Sequence, residues 1–381
     1  MHYLDANATE PPRPEATAAM TAAFAVTGNP SSVPAAGRAA RRVVEAARDR
    51  IAGRFGARAQ DLVFTSGGTE ADVTAVHAFG AHAFGTHASG THASGTGRPV
   101  LIGATEHDAI RAAVPLGIAI LPVDRHGIAD LDHLRRWLRD NPRAFVCLMH
   151  ANNETGAIQP IAEAAALCRA HGATLHVDAA QSAGRLPVDL RALGCHSLAL
   201  SAHKMGGPAG IGALLLNPEH SAIAPLIAGG GQELGRRGGT LALIAIAGFA
   251  AVCGPLTDQT AIEALRDRAE RAAVACGAIV CGSGAPRLPN TLSIALPGVS
   301  ASRQVIALDL DGIAVSAGAA CSSGKVQTSH VLTAMGLGPL AGEAIRVSLP
   351  WNVTEAAIDA FAASYARMAA RMTRPLVHAT S

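Results

Sequence analysis

Between residues 60 and 217 the chain repeats one pattern: a short run rich in valine, isoleucine and leucine, then a stretch with helical spacing. DLVFTS leads into TEADVTAVHAF, RPVLIGA into EHDAIRAAV and FVCLMHA into IAEAAALCRAHG; ATLHVDA, SLALSA and GIGALLLN follow. Apolar strands that alternate with helices predict an α/β fold, with a mostly parallel central sheet covered by helices on both faces. Ligands of such sheets bind at the carboxyl ends of the strands, so the polar residues that follow each run are the ones to inspect.

With 381 residues, 49% of them hydrophobic, the chain can bury two cores. The second is expected from Leu256 onward, as a smaller α+β C-terminal domain. GPLTDQTAIEALRDRAERAAVACG reads as a long helix, LPNTLSIALP, SRQVIALDLDGIAVSAG and AIRVSLP follow, and VTEAAIDAFAASYARMAARM is again helical. The 31 basic and 29 acidic side chains leave a formal charge of +2, which offers no electrostatic case for nucleic acid or a membrane as partner. The opening MHYLDANATEPPRPEA lacks a basic stretch followed by an apolar one, and no run of about 18 apolar residues occurs later, so a cytoplasmic location is expected. Cys147, Cys168, Cys195, Cys253, Cys276, Cys281 and Cys321 are odd in number and form no Cys-x-x-Cys pair. Reduced thiols are expected, without a disulfide framework or structural zinc.

His77, His82, His87 and His92 recur every five positions in a low-complexity segment. Steps of five advance about 140° around a helix and put no three imidazoles on one face. The segment reads as a solvated loop or frayed helix end grown by duplication, against the alternative of adventitious metal binding.

Three stretches carry chemistry. In SAHKMGGPAGIGALLL, Lys204 follows an apolar strand and leads into a glycine-rich turn. Most loop lysines are simple surface charges, but one at a strand's carboxyl end beside polar groups suited to a phosphate can form a Schiff base with an aldehyde cofactor. In LHVDAAQSAG, Asp178 ends a strand expected to neighbour that of Lys204. It could cap a helix, or hold the nitrogen of a pyridine ring protonated, in which case the paired charge keeps it ionised. In FTSGGTEADV, Gly67, Gly68 and Thr69 precede a helix opening with Glu70, and such a turn offers backbone amides to an anion.

Asp178, Lys204 and the SGGT turn, in this order, resemble the fold type I pyridoxal phosphate (PLP) enzymes. YLDANAT, GNPSS, FTSGGTEA, TEHDAI, HANNETG, HVDAAQSAG, SAHKMGGPAGIG, GRRGGT and SAGAACSSGK narrow the resemblance to the cysteine desulfurases of the NifS/IscS-like group, from residue 3 to about 370. The resemblance implies a large PLP-binding domain over residues 14–255 and a small domain over residues 1–13 and 256–381 that carries a catalytic cysteine loop. It implies that Lys204 carries the cofactor and moves the Cα proton, that Asp178 pairs with the pyridine nitrogen and Gln181 with the phenolate oxygen, and that His107 stacks on the ring and assists proton transfer. Gly68, Thr69, Ser201 and His203 would bind the phosphate, joined by Thr240 from the other subunit of a homodimer. Asn153 and Arg346 would hold L-cysteine, Arg346 because a guanidinium grips a carboxylate with two parallel hydrogen bonds. Taken alone, Arg346 suits a surface ion pair, His107 a partly buried histidine and Asn153 a loop cap.

Cys321 sits among small residues in VSAGAACSSGK. The resemblance implies that it attacks the substrate sulfur as a thiolate, becomes a persulfide and releases L-alanine. The sulfur would then pass to an acceptor protein for iron–sulfur cluster assembly or another thio-cofactor. No resident metal is implied; the one metal contact compatible with the pattern is transient iron–sulfur ligation by Cys321. The other cysteines fall in apolar patterns and read as small core residues. Pro34 stands where the group has a histidine, Glu10 where a threonine is usual, and the histidine-rich stretch resembles an insertion of about ten residues. The short stretch after the last amphipathic helix, with ACSSGK, leans towards the NifS-like branch. A selenocysteine lyase or an aminotransferase on the same scaffold is the alternative; transamination needs no such thiol. A metal-binding protein working through the histidines would leave Lys204, Asp178 and Cys321 without a role.

Overall fold

The computed structural model describes residues 1–84, 98–114, 117–318 and 328–373. The strands are β1 His2–Tyr3, β2 Leu62–Thr65, β3 Val100–Gly103, β4 Ala119–Leu121, β5 Phe145–Cys147, β6 Thr174–Asp178, β7 Ser197–Ser201, β8 Gly212–Leu216, β9 Ile279–Val280, β10 Thr291–Ala295, β11 Ile313–Ala314 and β12 Ala344–Ser348. Seven of them form the central sheet in the order β2-β8-β7-β6-β5-β3-β4. Every pairing is parallel except the two made by β8, so the sheet is mostly parallel as the alternating pattern predicts. The edge strand β4 and the helix Leu131–Asp140 lie outside the runs read from the sequence; Ile120 on β4 is 49% exposed, as an edge allows.

Burial on both sides of this sheet follows the two-residue period of a strand. Leu62, Phe64, Leu198, Leu200 and Leu215 join a core with Val44, Ile51, Phe55 and Phe249. Val63, Ala199, Leu214 and Leu216, one residue out of step, join a second core on the opposite face with Ala71, Ala75 and Phe79 of the helix Gly68–Phe84. That helix contains His77 and runs past His82 to end at Phe84, inside the stretch read as a loop or frayed helix end; His87 and His92 lie outside the described residues. The helix expected over EHDAIRAAV is one turn only, Asp108–Arg111.

A smaller sheet, ordered β12-β10-β9, packs with the helices Thr260–Val274, Ala301–Leu310 and Glu355–Met372 around Phe361 and Tyr365. The N-terminus joins this unit: β1 pairs in parallel with β11, and Leu4 is fully buried in its core. Among the described residues no helix is long and apolar enough to cross a membrane, and no cluster of histidine, cysteine and carboxylate side chains could hold a metal. The described cysteines are free thiols; all are buried except Cys276, which packs half-buried against the smaller core. Burial pushes the thiols of Cys168, Cys195 and Cys253 up to about 12, so these are packing residues and not nucleophiles.

One glycine links the sheet to the turn above it. Gly212 starts β8 between Thr65 and Ser201, and a Cβ there would stand 2.5 Å from the Leu200 carbonyl oxygen and 2.6 Å from the carbonyl carbon of Gly67. Both obstacles are backbone, so neither can turn aside. Gly212→Ala is expected to destabilise the fold by about 3 kcal/mol, measured by urea unfolding, through displacement of the Gly67–Gly68 turn. An unchanged midpoint would show that the turn can move freely.

Candidate active site

A cavity of about 660 Å³ opens at the carboxyl ends of the central strands, between the two sheets. The parallel pairing of β6 with β7 sets Asp178 opposite Ala199, so the polar residues that follow both strands share one end of the sheet. Lys204, Asp178, Gln181, His107, Asn153, Arg346 and the four residues Gly68, Thr69, Ser201 and His203 all line this cavity. Thr240 does not; it is exposed elsewhere on the same chain. Cys321 lies outside the described residues, and Gly318, the last described residue before it, lines the cavity.

Lys204 ends a single turn of 3-10 helix that follows β7 directly. Its Nζ donates to the carbonyls of Asn7 at 2.6 Å and Ala8 at 2.9 Å. Burial, helped by the cations Arg346 and Arg185, brings its pKa down to about 8, against the pull of Asp178 and Asp5. The amine therefore exchanges protons near neutrality and is a far better nucleophile than a surface lysine.

Asp178 is 6% exposed. One carboxylate oxygen accepts the Ala180 amide at 2.8 Å, so the capping role and the cavity position coexist. Burial pushes its carboxyl up, opposed by His107, the Ala180 N–H and Lys204. A cation placed in the cavity beside it would oppose the effect of burial and favour the ionised form. Below it lies a feature that sequence reasoning missed. His176, fully buried on β6, contacts Ser197 Oγ at 2.8 Å through Nδ1 and Asp72 Oδ1 at 3.1 Å through Nε2. Burial pulls the imidazole down to about 3 and pushes Asp72 well up, so it disfavours charge on both partners of this contact. Asp72 stands two residues beyond Glu70 in the quoted motif, and only tertiary packing shows that it turns inward.

The corner formed by Gly68, Thr69, Ser201 and His203 suits an anion. The helix Gly68–Phe84 begins there with its free amides, and a Cβ on Gly68 would meet Ser201 Cβ at 3.2 Å, so glycine keeps the approach open. Glu70 Oε2 accepts the Ser66 amide at 2.7 Å and Oε1 pairs with Arg237 at 2.9 Å, bracing the turn. Burial lowers His203 to about 4, and its Nδ1 lies 3.1 Å from Thr9 Oγ1. With Thr9 donating, Nε2 carries an N–H that can donate a hydrogen bond to an oxyanion.

His107 caps the turn Asp108–Arg111, its Nδ1 accepting the Ala109 amide at 3.1 Å, so a neutral ring carries its proton on Nε2. Arg346, 5% exposed on β12, is no surface residue. Its Nη2 pairs with Asp5 at 2.7 Å and its Nη1 donates to the Asn153 carbonyl at 3.1 Å, while Nε is buried without a partner among the described residues. A carboxylate entering the cavity would find a guanidinium with an unused donor, and would compete with Asp5. Asp5 and Asn7 belong to a motif quoted above, yet their roles depend on contacts across 341 and 197 positions of chain, which no local pattern reveals.

These groups fit pyridoxal phosphate as a set: an amine of lowered pKa, a buried carboxyl lacking a full counter-charge, and a glycine-lined corner at a helix N-terminus. The profile of the family described as Aminotransferase class-V matches residues 2–361. A cysteine desulfurase of Cereibacter sphaeroides is 40% identical over 375 residues, covering 94% of this chain and 92% of that protein. The IscS-like cysteine desulfurase of Mycobacterium tuberculosis is 36% identical over 377 residues and 94% of each chain. The solved NifS-like protein from Rickettsia africae superposes with a TM-score of 0.86 over 97% of this chain and 99% of that one, at 31% identity.

Glu106, next to His107, is fully buried; one oxygen accepts the Met149 amide at 2.6 Å and the other has no partner among the described residues. Burial raises its carboxyl to about 8. A group whose pKa is raised on folding contributes stability at low pH and loses it as pH climbs through the raised value. Glu106→Gln cannot ionise, so its melting temperature relative to the parent should rise as pH is taken from about 5 to 8 and level off above. A difference independent of pH would refute a carboxyl buried in its protonated form.

Proposed function

The chain belongs to the class-V aminotransferase family and is, within it, a pyridoxal phosphate-dependent cysteine desulfurase; on that premise we propose which of its residues do the work. When bound, the cofactor supplies an electron sink that makes the sulfur of L-cysteine a target for a thiolate. Lys204 carries the cofactor and shuttles the Cα proton on Nζ, a role supported by its pKa of about 8. Asp178 holds the proton on the pyridine nitrogen, and the positive charge it faces offsets the burial that raises its own carboxyl. Gln181 donates to the ring's phenolate oxygen. His107 stacks on the ring and passes protons through Nε2. Gly68, Thr69, Ser201 and His203 take the phosphate. Arg346 grips the substrate carboxylate beside Asn153, with Asp5 yielding its place.

Cys321 is the nucleophile. Its thiolate takes the substrate's sulfur to form a persulfide, and the remaining carbon skeleton leaves as L-alanine, so one sulfur atom is transferred without an outside oxidant. The acceptor is a sulfur carrier or iron–sulfur scaffold, in keeping with the NifS and IscS names of relatives. We place the reaction in the cytoplasm, where this thiol stays reduced. We further propose a homodimer in which Thr240 completes the phosphate site of the partner subunit. The exposure of Thr240, with Leu226, Ile227 and Leu234 at 39%, 42% and 77% exposure in the same stretch, supports that arrangement. Residues 14–255 form the cofactor-binding domain, and residues 1–13 with 256–381 the domain that carries Cys321.

The observation that carries this reading is the convergence of Lys204 and Asp178 from adjacent parallel strands on one cavity. Lys204→Ala should lose the visible absorbance of bound cofactor and all turnover; continued alanine formation would sink the assignment. Cys321→Ser should keep that absorbance and still bind L-cysteine, but release no sulfide. Sulfide at the parent rate would remove Cys321 from the reaction.

A further inference from the structure

Gln181 is held by a buried chain of hydrogen bonds that begins at Glu10, one of the positions where the sequence departs from the family resemblance. Arg185, 5% exposed, donates from Nη1 to Gln181 Oε1 and to the Gln181 carbonyl, both at 2.9 Å, and from Nη2 to Glu10 Oε2 at 2.8 Å. The other oxygen of Glu10 accepts the Trp351 amide at 2.7 Å. On its far side, Gln181 Nε2 donates to the Asn7 carbonyl at 3.0 Å.

These partners permit one orientation of the amide. A guanidinium only donates, so the atom facing Arg185 must be oxygen; a backbone carbonyl only accepts, so the atom facing Asn7 must be nitrogen. One N–H of Nε2 remains, on a side chain that lines the cavity. Without Glu10, Arg185 would be a buried cation lacking its counter-charge, with Nη2 left only a 3.4 Å contact to the Ala6 carbonyl. It would then turn or draw in water, releasing Oε1.

We propose that Glu10 is a positioning residue for the cofactor: by holding Arg185 against Gln181, it keeps Gln181 a hydrogen-bond donor to the anionic ring oxygen of pyridoxal phosphate. The inference rests on the assignment of Gln181 to that oxygen. The test is an absorbance titration of the bound cofactor, whose midpoint reports the proton shared by the ring oxygen and the linking Lys204 nitrogen, in holoprotein carrying Glu10→Thr, Gln181→Leu or both. Loss of the donated N–H raises the midpoint, whereas loss of the Glu10 charge lowers it in either background and cancels in the comparison. Glu10→Thr should therefore move the midpoint about one pH unit further upward in the Gln181 chain than in the Gln181→Leu chain. Equal shifts in the two backgrounds would overturn the proposal and leave Glu10 a brace of the fold. An unchanged midpoint in Gln181→Leu alone would overturn both it and the assignment of Gln181. Glu10→Gln gives the same comparison should Glu10→Thr not fold, with a smaller coupling, because its single carbonyl oxygen serves only one of the two donors, Arg185 and the Trp351 amide.

Discussion

The parallel pairing of β6 with β7 is the constraint on which the site depends. Two strands that point the same way deliver their following residues to one edge of the sheet, so Asp178 and the Ser201–Lys204 stretch converge although 26 positions separate the acid from the lysine. Reversal of β8 serves the same end. Gly212, antiparallel to both Ser201 and Thr65, brings the Gly67–Gly68 turn down against β7 and joins the anion corner to the lysine.

Convergence at a buried edge has an electrostatic consequence. Desolvation is the largest influence on Lys204, Asp178, Glu106, His203 and His176, and in each case it favours the neutral form. The protein's own groups therefore leave the cavity short of charge. On the proposed assignment, the helix N-terminus would hold the phosphate anion of pyridoxal phosphate and Asp178 its protonated ring nitrogen, each an opposite charge where burial has withheld one. The cavity thus suits the cofactor by charge, and burial brings Lys204 down to about 8, where it exchanges its proton near neutral pH.

The sheet was legible because its signal is local: apolar runs of strand length between helical patterns mean buried parallel strands wherever they occur. Lys204, Asp178 and the SGGT turn were legible for a related reason, since each directly follows a strand. What could not be read is contact between distant segments. Arg346 suited a surface pair by its local sequence, yet it is buried against Asp5; His176 and Asp72 gave no sign that they would meet. The point at which the helix Gly68–Phe84 ends was also not legible, because alanine and glycine there carry little periodic signal.

The segment from Asp5 to Glu10 gathers these distant contacts. Asp5 holds Arg346, the Asn7 carbonyl accepts from both Lys204 and Gln181, and Glu10 holds Arg185. Six consecutive residues, anchored by the pairing of β1 with β11 and the fully buried Leu4, thus touch the amine, the amide and the guanidinium of the site. Because the Asn7 carbonyl is shared, Lys204 cannot leave it without altering the partner of Gln181. The position of the Lys204 amine and the orientation of the Gln181 amide are therefore coupled through a single backbone oxygen, one supplied by the N-terminal segment and not by either strand of the β6–β7 pair.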